Sequence, residues 1–394
     1  MAAATATHAL AVVQHFGAQE GSLMKIIALG GAGDVGSRAV ELLAAEDDVT
    51  EITIADRALD RAERLASSFA GETARVTARR VDATDHRGLV DAMRGHDLAV
   101  SALGPYYRFE APLVAAALEA EVDYTSVCDE WDATDAVFGQ FGDRARETGR
   151  LVLPGLGTSP GMSNMGVKLL AAELDEVRRA HVYVYQPLDA GGGEAVVRHM
   201  LHIMTGDVVS WQGGRRVLVP ACGESRVVEF PQFGPIRLWT MGHAEPATVP
   251  RYYPAIEEVA FFMGYGKGAH LFVEPARRGL FRFDTLTEAM VRGLLLVDRW
   301  SSKGPPADGA VRLDVWGTAE GREAHRMLCG VGQMREATGV GLAVGSMMVL
   351  RAQRAARRAG VFAPEGILDA AEFIAGMKHH GIAAYRDLAM TEPL

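Results

Sequence analysis

Cysteine is scarce in this 394-residue chain, where only Cys128, Cys222 and Cys329 occur. The three lie far apart, without the spacing of a metal-binding motif or the density of a disulfide framework. This scarcity favours a reducing compartment, so we expect the protein to be cytoplasmic.

An excess of basic residues and a long apolar run are also absent. Asp and Glu outnumber Lys and Arg by 50 to 40, for a net charge of −10, so the chain lacks the basic surface that nucleic-acid binding needs. The uncharged, apolar-rich stretch at residues 337–350 is shorter than the roughly 20 apolar residues of a membrane span. Residues 1–23 lack the features of a signal or transit peptide and are interpreted as a loose N-terminal extension or as the product of an early start codon. We therefore expect neither a nucleic-acid partner nor a membrane partner.

What the chain does contain is ample material for a folded core. Hydrophobic residues make up 48% and charged residues 23%, as is typical of globular proteins. At roughly 100–200 residues per domain, the length favours two domains.

A glycine-rich segment near the start is the strongest motif. Residues 25–30 form the short apolar run of a buried parallel strand, and residues 37–45 have helical periodicity. The segment between them has the pattern G-x-G-x-x-G, which in this position is a dinucleotide-binding fingerprint. The residues that it predicts to bind the cofactor are Gly31, Gly33, Asp34, Val35 and Gly36.

An acidic residue in the expected place favours NAD as the cofactor. Asp56 ends the second predicted strand, 20 residues after Gly36. Its carboxylate would accept hydrogen bonds from the ribose hydroxyls and repel a 2′-phosphate. Arg57 follows directly and could hold a 2′-phosphate, so NADP stays possible.

Strand and helix patterns alternate as far as residue 154. Strands are predicted at 51–55, 75–81, 97–101, 122–126 and 150–153, with helices between them, which is typical of a doubly wound parallel sheet. Ligands bind beyond the carboxyl ends of such strands. This places further cofactor contacts at Asp82, Ala102, Leu103 and Gly104. Asp82 could instead cap a helix.

The rest of the chain has a different pattern. Residues 180–185, 216–219 and 311–316 alternate like strands of a half-exposed antiparallel sheet, and 311–316 could form a sheet edge that pairs across a dimer axis. Residues 337–359 are predicted to form a long helix that Gly360 stops. Residues 155–161, rich in Gly and Pro, predict a tight domain crossover.

Several of these segments together resemble the saccharopine dehydrogenase family, which includes lysine 6-dehydrogenases and saccharopine reductases. The similar segments are residues 24–36, 81–85, 101–107, 122–127, 153–164 and 357–366. The resemblance implies a Rossmann domain at 24–154, an α+β substrate and dimerisation domain with a mixed or antiparallel sheet at 155–330, and a C-terminal helical segment at 331–394 that packs back on the Rossmann domain. A homodimer is expected separately, because small symmetric oligomers are the common outcome.

The family chemistry implies two catalytic residues. These enzymes transfer hydride between nicotinamide and a carbon that bears nitrogen, and the amine must first lose a proton to a general base. The resemblance points to Tyr106, after the fourth strand, and to Asp123, at the start of the fifth. Asp123 is also in a position where a structural cap is common.

Two groups of polar residues are candidates for substrate binding. Asp129, Glu130 and Asp132 surround Trp131 and would suit an alkylammonium group, although acidic residues at a helix N-terminus need no ligand. Arg198, His199 and His202 follow on a predicted helix, where the arginine could bind a carboxylate. We expect no metal site, because the two histidines lack a nearby third ligand. His243, Glu245 and Arg251 fit a domain interface as well as a substrate contact.

The function predicted from sequence is an NAD(P)-dependent oxidoreductase acting on the C–N bond of an amine or amino-acid substrate, with lysine 6-dehydrogenase as the single best assignment. One alternative is a redox-neutral aminoalkyl transferase that resembles homospermidine synthase. Another is a nucleotide-sensing protein without turnover. The fold alone does not decide among them.

Overall fold

The structure is a computed structural model that describes residues 24–394 except 189, 191, 192 and 302–306. The predicted N-terminal extension therefore lies outside the described residues. Within the described ranges, no helix combines the length and apolar character needed to cross a membrane.

The first half of the described chain forms a parallel sheet with helices between its strands. Its strands are β1 (Met24–Leu29), β2 (Val49–Asp56), β3 (Arg75–Arg80), β4 (Leu98–Ser101), β5 (Asp123–Ser126) and β6 (Leu151–Leu153). Its helices are α1 (Asp34–Ala44), α2 (Leu59–Ser68), α3 (His86–Met93), α4 (Tyr106–Glu119) and α5 (Trp131–Glu147). This confirms the predicted doubly wound α/β fold.

The strand order of the parallel sheet determines where a ligand can bind. β1 lies between β2 and β4, so the chain winds in opposite directions on its two sides. A crevice opens at the carboxyl ends of the strands at such a switch point. The loops after β1 and β4 border that crevice.

A second, mixed sheet follows an irregular helical turn at Thr158–Met162 and helix α6 (Ser163–Ala171). Its strands are β7 (Glu176–Tyr185), β8 (Asp207–Gln212), β9 (Arg215–Pro220), β10 (Ser225–Phe230), β11 (Gly234–Thr240), β12 (Glu258–Gly264), β13 (Gly309–Ala319) and β14 (Arg322–Gly332). The associated helices are α7 (Glu194–Ile203), α8 (Glu245–Tyr252), α9 (His270–Arg277) and α10 (Asp284–Ser301). β7 and β12 are parallel and the other pairs antiparallel, as expected for a mixed sheet.

One expectation about this sheet is wrong. Residues 311–316 were expected at a sheet edge, free to pair across a dimer axis. They belong to β13, which pairs with β7 on one side and with β14 on the other. Both backbone edges of β13 are therefore occupied within the chain.

The C-terminal segment contributes to the parallel sheet. It forms α11 (Met334–Ala355), strand β15 (Gly360–Val361), α12 (Pro364–Ile367) and α13 (Ala370–His379). Gly360, predicted to stop the long helix, instead begins β15, which pairs with β6 at the edge of the sheet. The helix ends earlier, at Ala355, because the following residue is already extended.

Helix α11 lies directly against α1. A Cβ added to Gly339 would come within 2.8 Å of the Arg38 side chain, so the two helices approach closely at this glycine. Arg38 also forms an ion pair of 2.6 Å with Glu336. This contact places the beginning of α11 beside the glycine-rich loop.

Candidate active site

The loop between β1 and α1 has the shape that a dinucleotide diphosphate requires. A Cβ on Gly31 would lie 2.9 Å from atoms of Ala28, and one on Gly36 would lie 2.3 Å from the Gly30 carbonyl oxygen. Gly33 precedes α1 in an extended conformation, and no side chain caps the helix there. Gly33, Asp34 and Val35 line the cavity described below, so the uncapped N-terminus of α1 is available to a bound diphosphate.

The other residues predicted to contact the nucleotide are hydrogen-bonded within the protein or exposed on its surface. Asp56 Oδ1 accepts a hydrogen bond from the Ala58 N–H (2.9 Å), and Arg57 beside it is exposed. Asp82 lies on an exposed turn, where it accepts hydrogen bonds from the Thr84 N–H and hydroxyl. Arg61, which the motif did not indicate, donates to the Ala32 carbonyl (2.8 Å).

A cavity of about 410 Å³ extends from the glycine loop to the mixed sheet. Its lining includes Gly33, Asp34, Val35, Arg61, Ala102, Gly104, Tyr106, Asp129, Thr158, Ser159, Glu194, His199, His243, Phe261, Arg335 and Thr338. The parallel sheet, the mixed sheet and α11 all contribute to it. Leu103 is instead packed against the hydrophobic core.

Acidic and imidazole groups alternate at one wall of this cavity. Glu245 Oε2 lies 2.7 Å from Nδ1 of His243, and His243 Nε2 lies 3.7 Å from Oδ2 of Asp129. Asp129 Oδ1 lies 3.3 Å from Nδ1 of His199, which is 3.1 Å from Oε1 of Glu130. These five residues, which we call the acid–imidazole cluster, come from three separate segments of the chain.

The members of the cluster shift one another's pKa values. Burial alone would lower the pKa of His243, but Glu245 and Asp129 outweigh it and raise that pKa to about 10. Burial would also lower the pKa of His199, but Asp129 and Glu130 outweigh it and raise that pKa. Burial would raise the pKa of Asp129, yet the two imidazoles hold it below its ordinary value. Asp129 is therefore an ionised carboxylate at the cavity wall.

Glu245 and His243 are held rigidly. The hydroxyls of Ser159 and Ser163 both donate hydrogen bonds to Glu245 Oε1. The His243 ring stacks on Phe261, with 4.0 Å between ring centroids. Arg251, which the sequence grouped with them, instead pairs with Asp135 at 3.3 Å and lies over the Phe138 ring.

His199 and His202, the two histidines that the sequence analysis considered together, fall in different groups of potential metal ligands. One ligand atom each from Asp129, His199 and His243 lies within 4.8 Å of the others. His202 belongs to a second group with Glu130 and Asp132 and lies 2.9 Å from the Asp132 carboxylate. Sequence spacing missed both groups because the acids and His243 come from other elements.

Of the predicted substrate contacts, only Asp129 and His199 line the cavity; the residues outside its lining are Glu130, Trp131, Asp132, Arg198 and His202. Arg198 is held by Glu288 in a bidentate pair (2.5 and 3.0 Å) and by Glu194 (2.8 Å), so its guanidinium is already neutralised. Trp131 packs against Gly242 and lies beside the guanidinium of Arg216.

The two predicted catalytic residues have different positions. Tyr106 begins α4 and lines the cavity, and burial raises its pKa well above the ordinary value. Its hydroxyl therefore stays protonated and can donate a hydrogen bond, which argues against a general base. Asp123 lies at the opposite end of the sheet. Its carboxylate accepts hydrogen bonds from the Leu151 N–H (2.9 Å) and Gln353 Nε2 (3.1 Å), so the predicted catalytic role does not fit its position.

Sequence reasoning also missed the contribution of α11. Arg335 and Thr338 line the cavity from its first turns, and Thr338 is joined to Thr158 by a hydroxyl hydrogen bond of 2.9 Å. Arg335 has no acidic partner among the residues that the structure describes. No local motif marks these two residues, because only the packing of α11 on α1 brings them to the site.

Comparison with known proteins agrees with this architecture. Residues 26–147 match the family model described as "Saccharopine dehydrogenase NADP binding domain". Carboxynorspermidine synthase of Vibrio cholerae is 28% identical over 260 residues, which are 60% of this chain and 62% of that protein. Carboxyaminopropylagmatine dehydrogenase of Synechocystis is 23% identical over 251 residues, 60% of this chain and 61% of that protein. The matched region thus spans less than two thirds of these relatives.

A solved structure extends the comparison to almost the whole chain. The apo saccharopine dehydrogenase (L-Glu forming) of Saccharomyces cerevisiae superposes with a TM-score of 0.66 and 16% identity. The match covers 92% of this chain and 99% of the yeast chain. At this identity the likeness concerns the fold alone.

Proposed function

We propose that the chain is an NAD(P)-dependent oxidoreductase of the saccharopine dehydrogenase family, supported by the match of residues 26–147 to that family's NADP-binding domain, and we propose a more specific reaction on that basis. We propose that it transfers hydride between nicotinamide and the C–N carbon of a secondary amine that joins an amino-acid carboxylate to a diamine or polyamine. Bound nicotinamide supplies or accepts the hydride.

The observation that carries this proposal is the continuity of the cavity. A single space connects the loop at Gly33 with the ionised carboxylate of Asp129. Both Asp129 and Glu194 line the cavity. Glu194 is paired with Arg198, so the ionised Asp129 is the main group at the wall that attracts an ammonium. The Tyr106 hydroxyl donates a hydrogen bond to a nitrogen or oxygen beside the reacting carbon.

Groups of both charge signs favour an amine–carboxylate conjugate over a simple polyamine. Arg335 lines the same cavity as Asp129 and Glu194, and its guanidinium has no acidic partner within the described ranges. Arginine is well suited to bidentate binding of a carboxylate. A substrate with a cationic arm and a carboxylate arm would use both.

The names of the relatives favour conjugates over lysine. They describe a synthase of carboxynorspermidine and a dehydrogenase of carboxyaminopropylagmatine, both of which are carboxylated polyamines. Lysine 6-dehydrogenase, the assignment favoured by sequence alone, shares the C–N chemistry but acts on a primary amine. Lysine therefore serves as the competing substrate in the test.

We propose NAD as the preferred nicotinamide, with NADP also accepted. Asp56 at the end of β2 supports NAD because its carboxylate repels a 2′-phosphate. Exposed Arg57 and the NADP-binding family model both favour some tolerance of NADP. The ratio of kcat/KM for the two cofactors, in the wild type and in Asp56→Asn, measures the preference.

The test is NAD(P)H formation with carboxynorspermidine, carboxyaminopropylagmatine, saccharopine and lysine, each with NAD⁺ and NADP⁺. We expect turnover of a carboxylated polyamine that Asp129→Asn abolishes while NADH binding persists. Asp123→Asn, whose side chain lies away from the cavity, is the matched control and retains turnover.

Three results would contradict the proposal. A kcat/KM that is higher for lysine would restore lysine 6-deamination. Product formation without net NADH would indicate a redox-neutral transferase. Tight NADH binding without turnover of any of the four amines, or of their aldehyde and amine precursors with NADH or NADPH, would indicate a nucleotide sensor.

A further inference from the structure

Three potential metal ligands converge on one wall of the cavity from separate elements. Asp129 follows β5, His199 lies on α7 and His243 precedes α8. The nearest pairs of their polar atoms are 3.3 Å apart for His199 and Asp129 and 3.7 Å apart for His243 and Asp129. A tetrahedral ion with bonds of roughly 2.0–2.2 Å holds its ligand atoms roughly 3.3–3.6 Å apart. These two distances are close to that range, and all three ligand atoms lie within 4.8 Å of one another.

The Asp129 carboxylate is incompletely satisfied by the protein. Its Oδ1 atom is buried and has no hydrogen-bond partner among the described residues. The nearest candidate, His199 Nδ1, also faces Glu130 Oε1 at 3.1 Å. A single proton on that nitrogen directed at Glu130 leaves Oδ1 of Asp129 without a partner, and buried polar atoms of this kind need an explanation.

The surroundings of His243 match the outer layer of a metal site. Its Nδ1 atom faces Glu245 at 2.7 Å, and Glu245 is fixed by the hydroxyls of Ser159 and Ser163. Metal-binding histidines commonly donate their second N–H to a carboxylate, which fixes the ring and increases its basicity. The remaining nitrogen, Nε2, then points to Asp129 as a lone-pair donor.

Charge balance is compatible with a divalent ion. Three carboxylates, from Asp129, Glu130 and Glu245, surround two imidazoles in a largely buried space. Two imidazole protons or one divalent cation would leave the same net charge, so a metal ion can replace the protons without adding buried charge. The ion would also provide a partner for Asp129 Oδ1, which has none among the described residues.

From these observations we propose that Asp129, His199 and His243 bind one divalent transition-metal ion, of the zinc class by ligand type. Three protein ligands leave a coordination position open toward the cavity. If the proposed function holds, that position is available to the nitrogen or carbonyl oxygen at the reacting carbon of the substrate.

The test measures metal binding directly and without substrate. Untagged full-length protein is equilibrated with Co²⁺ or Zn²⁺, freed of loosely bound ion and analysed for metal content. The Co²⁺ form is also examined by visible absorption, which distinguishes tetrahedral from octahedral cobalt. We expect one retained ion per chain and the intense absorption of tetrahedral cobalt.

Matched variants locate the ion. Asp129→Asn and His243→Gln are expected to abolish retention, and Glu245→Gln to weaken binding by about 10- to 100-fold. His325→Ala removes a histidine that pairs with Asp314 away from the cavity and should retain the ion. Circular dichroism tests whether each variant is folded. If His243→Gln does not fold, the result for Asp129→Asn decides the outcome.

The proposal is overturned if the wild type retains no ion, or if folded Asp129→Asn retains as much as the wild type. Either result would leave the cluster as a proton-balanced ion-pair network. Because no substrate takes part, a chain that binds the ion without oxidising any amine would contradict only the proposed function.

Discussion

Nε2 of His243 lies 3.7 Å from Oδ2 of Asp129, beyond hydrogen-bond range but within reach of a shared ligand. Asp129 follows a strand of the parallel sheet, whereas His243 follows β11 of the mixed sheet. The acid–imidazole cluster therefore exists only where the two sheets meet. A change that separates them would remove the site without altering any of its residues.

Gly36→Ala is expected to abolish tight cofactor binding. Its Cβ would lie 2.3 Å from the Gly30 carbonyl oxygen, so the loop and α1 would have to move apart. Gly139→Ala, in the middle of α5 with nothing within 4 Å of the added Cβ, is the matched control. We expect NADH affinity, measured by titration of its fluorescence, to fall more than about 10-fold for Gly36→Ala, a loss above about 1.4 kcal/mol, and to stay unchanged for Gly139→Ala. Equal affinities would contradict a diphosphate site at this loop.

Asp123→Ala is expected to reduce stability and leave catalysis almost intact. The change removes the acceptor for the Leu151 N–H and for Gln353 Nε2, both in a buried position. Leaving such groups unpaired costs about 1–3 kcal/mol each in the free energy of unfolding. Denaturant titration measures the loss and steady-state kinetics the activity. A large fall in kcat with unchanged stability would restore the catalytic role predicted from sequence.

The two arginines that could bind a carboxylate are expected to behave differently. Arg198 is already paired with Glu288 and Glu194, whereas Arg335 lines the cavity without an acidic partner in the described part of the chain. A charged hydrogen bond contributes about 1.5–3 kcal/mol. We therefore expect Arg335→Ala to raise the KM for a carboxylated polyamine by about 10-fold or more. Arg198→Ala should leave the KM nearly unchanged, and the reverse pattern would reinstate Arg198 as the carboxylate-binding residue.

Glu110 should make the protein less stable as the pH rises. This buried carboxyl accepts hydrogen bonds from Tyr124 and Ser126, and burial raises its pKa from 4.5 to about 7. Between those values the unfolded chain releases a proton that the folded chain retains, so the free energy of unfolding falls with increasing pH. At about 1.4 kcal/mol per pH unit, the full effect approaches about 3 kcal/mol.

Glu110→Gln isolates this contribution. The amide keeps the size of the side chain but does not titrate in this range. The difference in unfolding free energy between variant and wild type should therefore grow from pH 4.5 to 7 and level off above it. A constant difference across this range would show that Glu110 is ionised in the folded protein.

Local patterns were sufficient to predict the parallel sheet. Its six N-terminal strands and the helices between them follow from short apolar runs and helical periodicity, each confined to a few neighbouring residues. The glycine loop was equally predictable, because three glycines at fixed spacing meet the steric demands of one turn. The domain boundaries at residues 154 and 330, the homodimer and the cytoplasmic location remain predictions.

The composition of the cavity could not be predicted in the same way. Asp129 and His199 were recognised as candidates, but their connection through His243 to Glu245 depends on the packing of two sheets. Arg198 was misjudged because its partner Glu288 lies on a distant helix. Asp123 was misjudged because its true partners, Leu151 and Gln353, lie far along the chain.

The edge strand β15 has a consequence for the order in which the protein can mature. The ribosome releases β1–β6 long before it releases α11 and β15, which cover one face and one edge of the same sheet. Until then the Thr125 hydroxyl lacks its hydrogen bond with Ser346, and the Asp123 carboxylate lacks its hydrogen bond from Gln353. The parallel sheet is thus begun by one end of the chain and completed by the other. The sheet is therefore complete only once the C-terminal segment has joined the strands that were synthesised first.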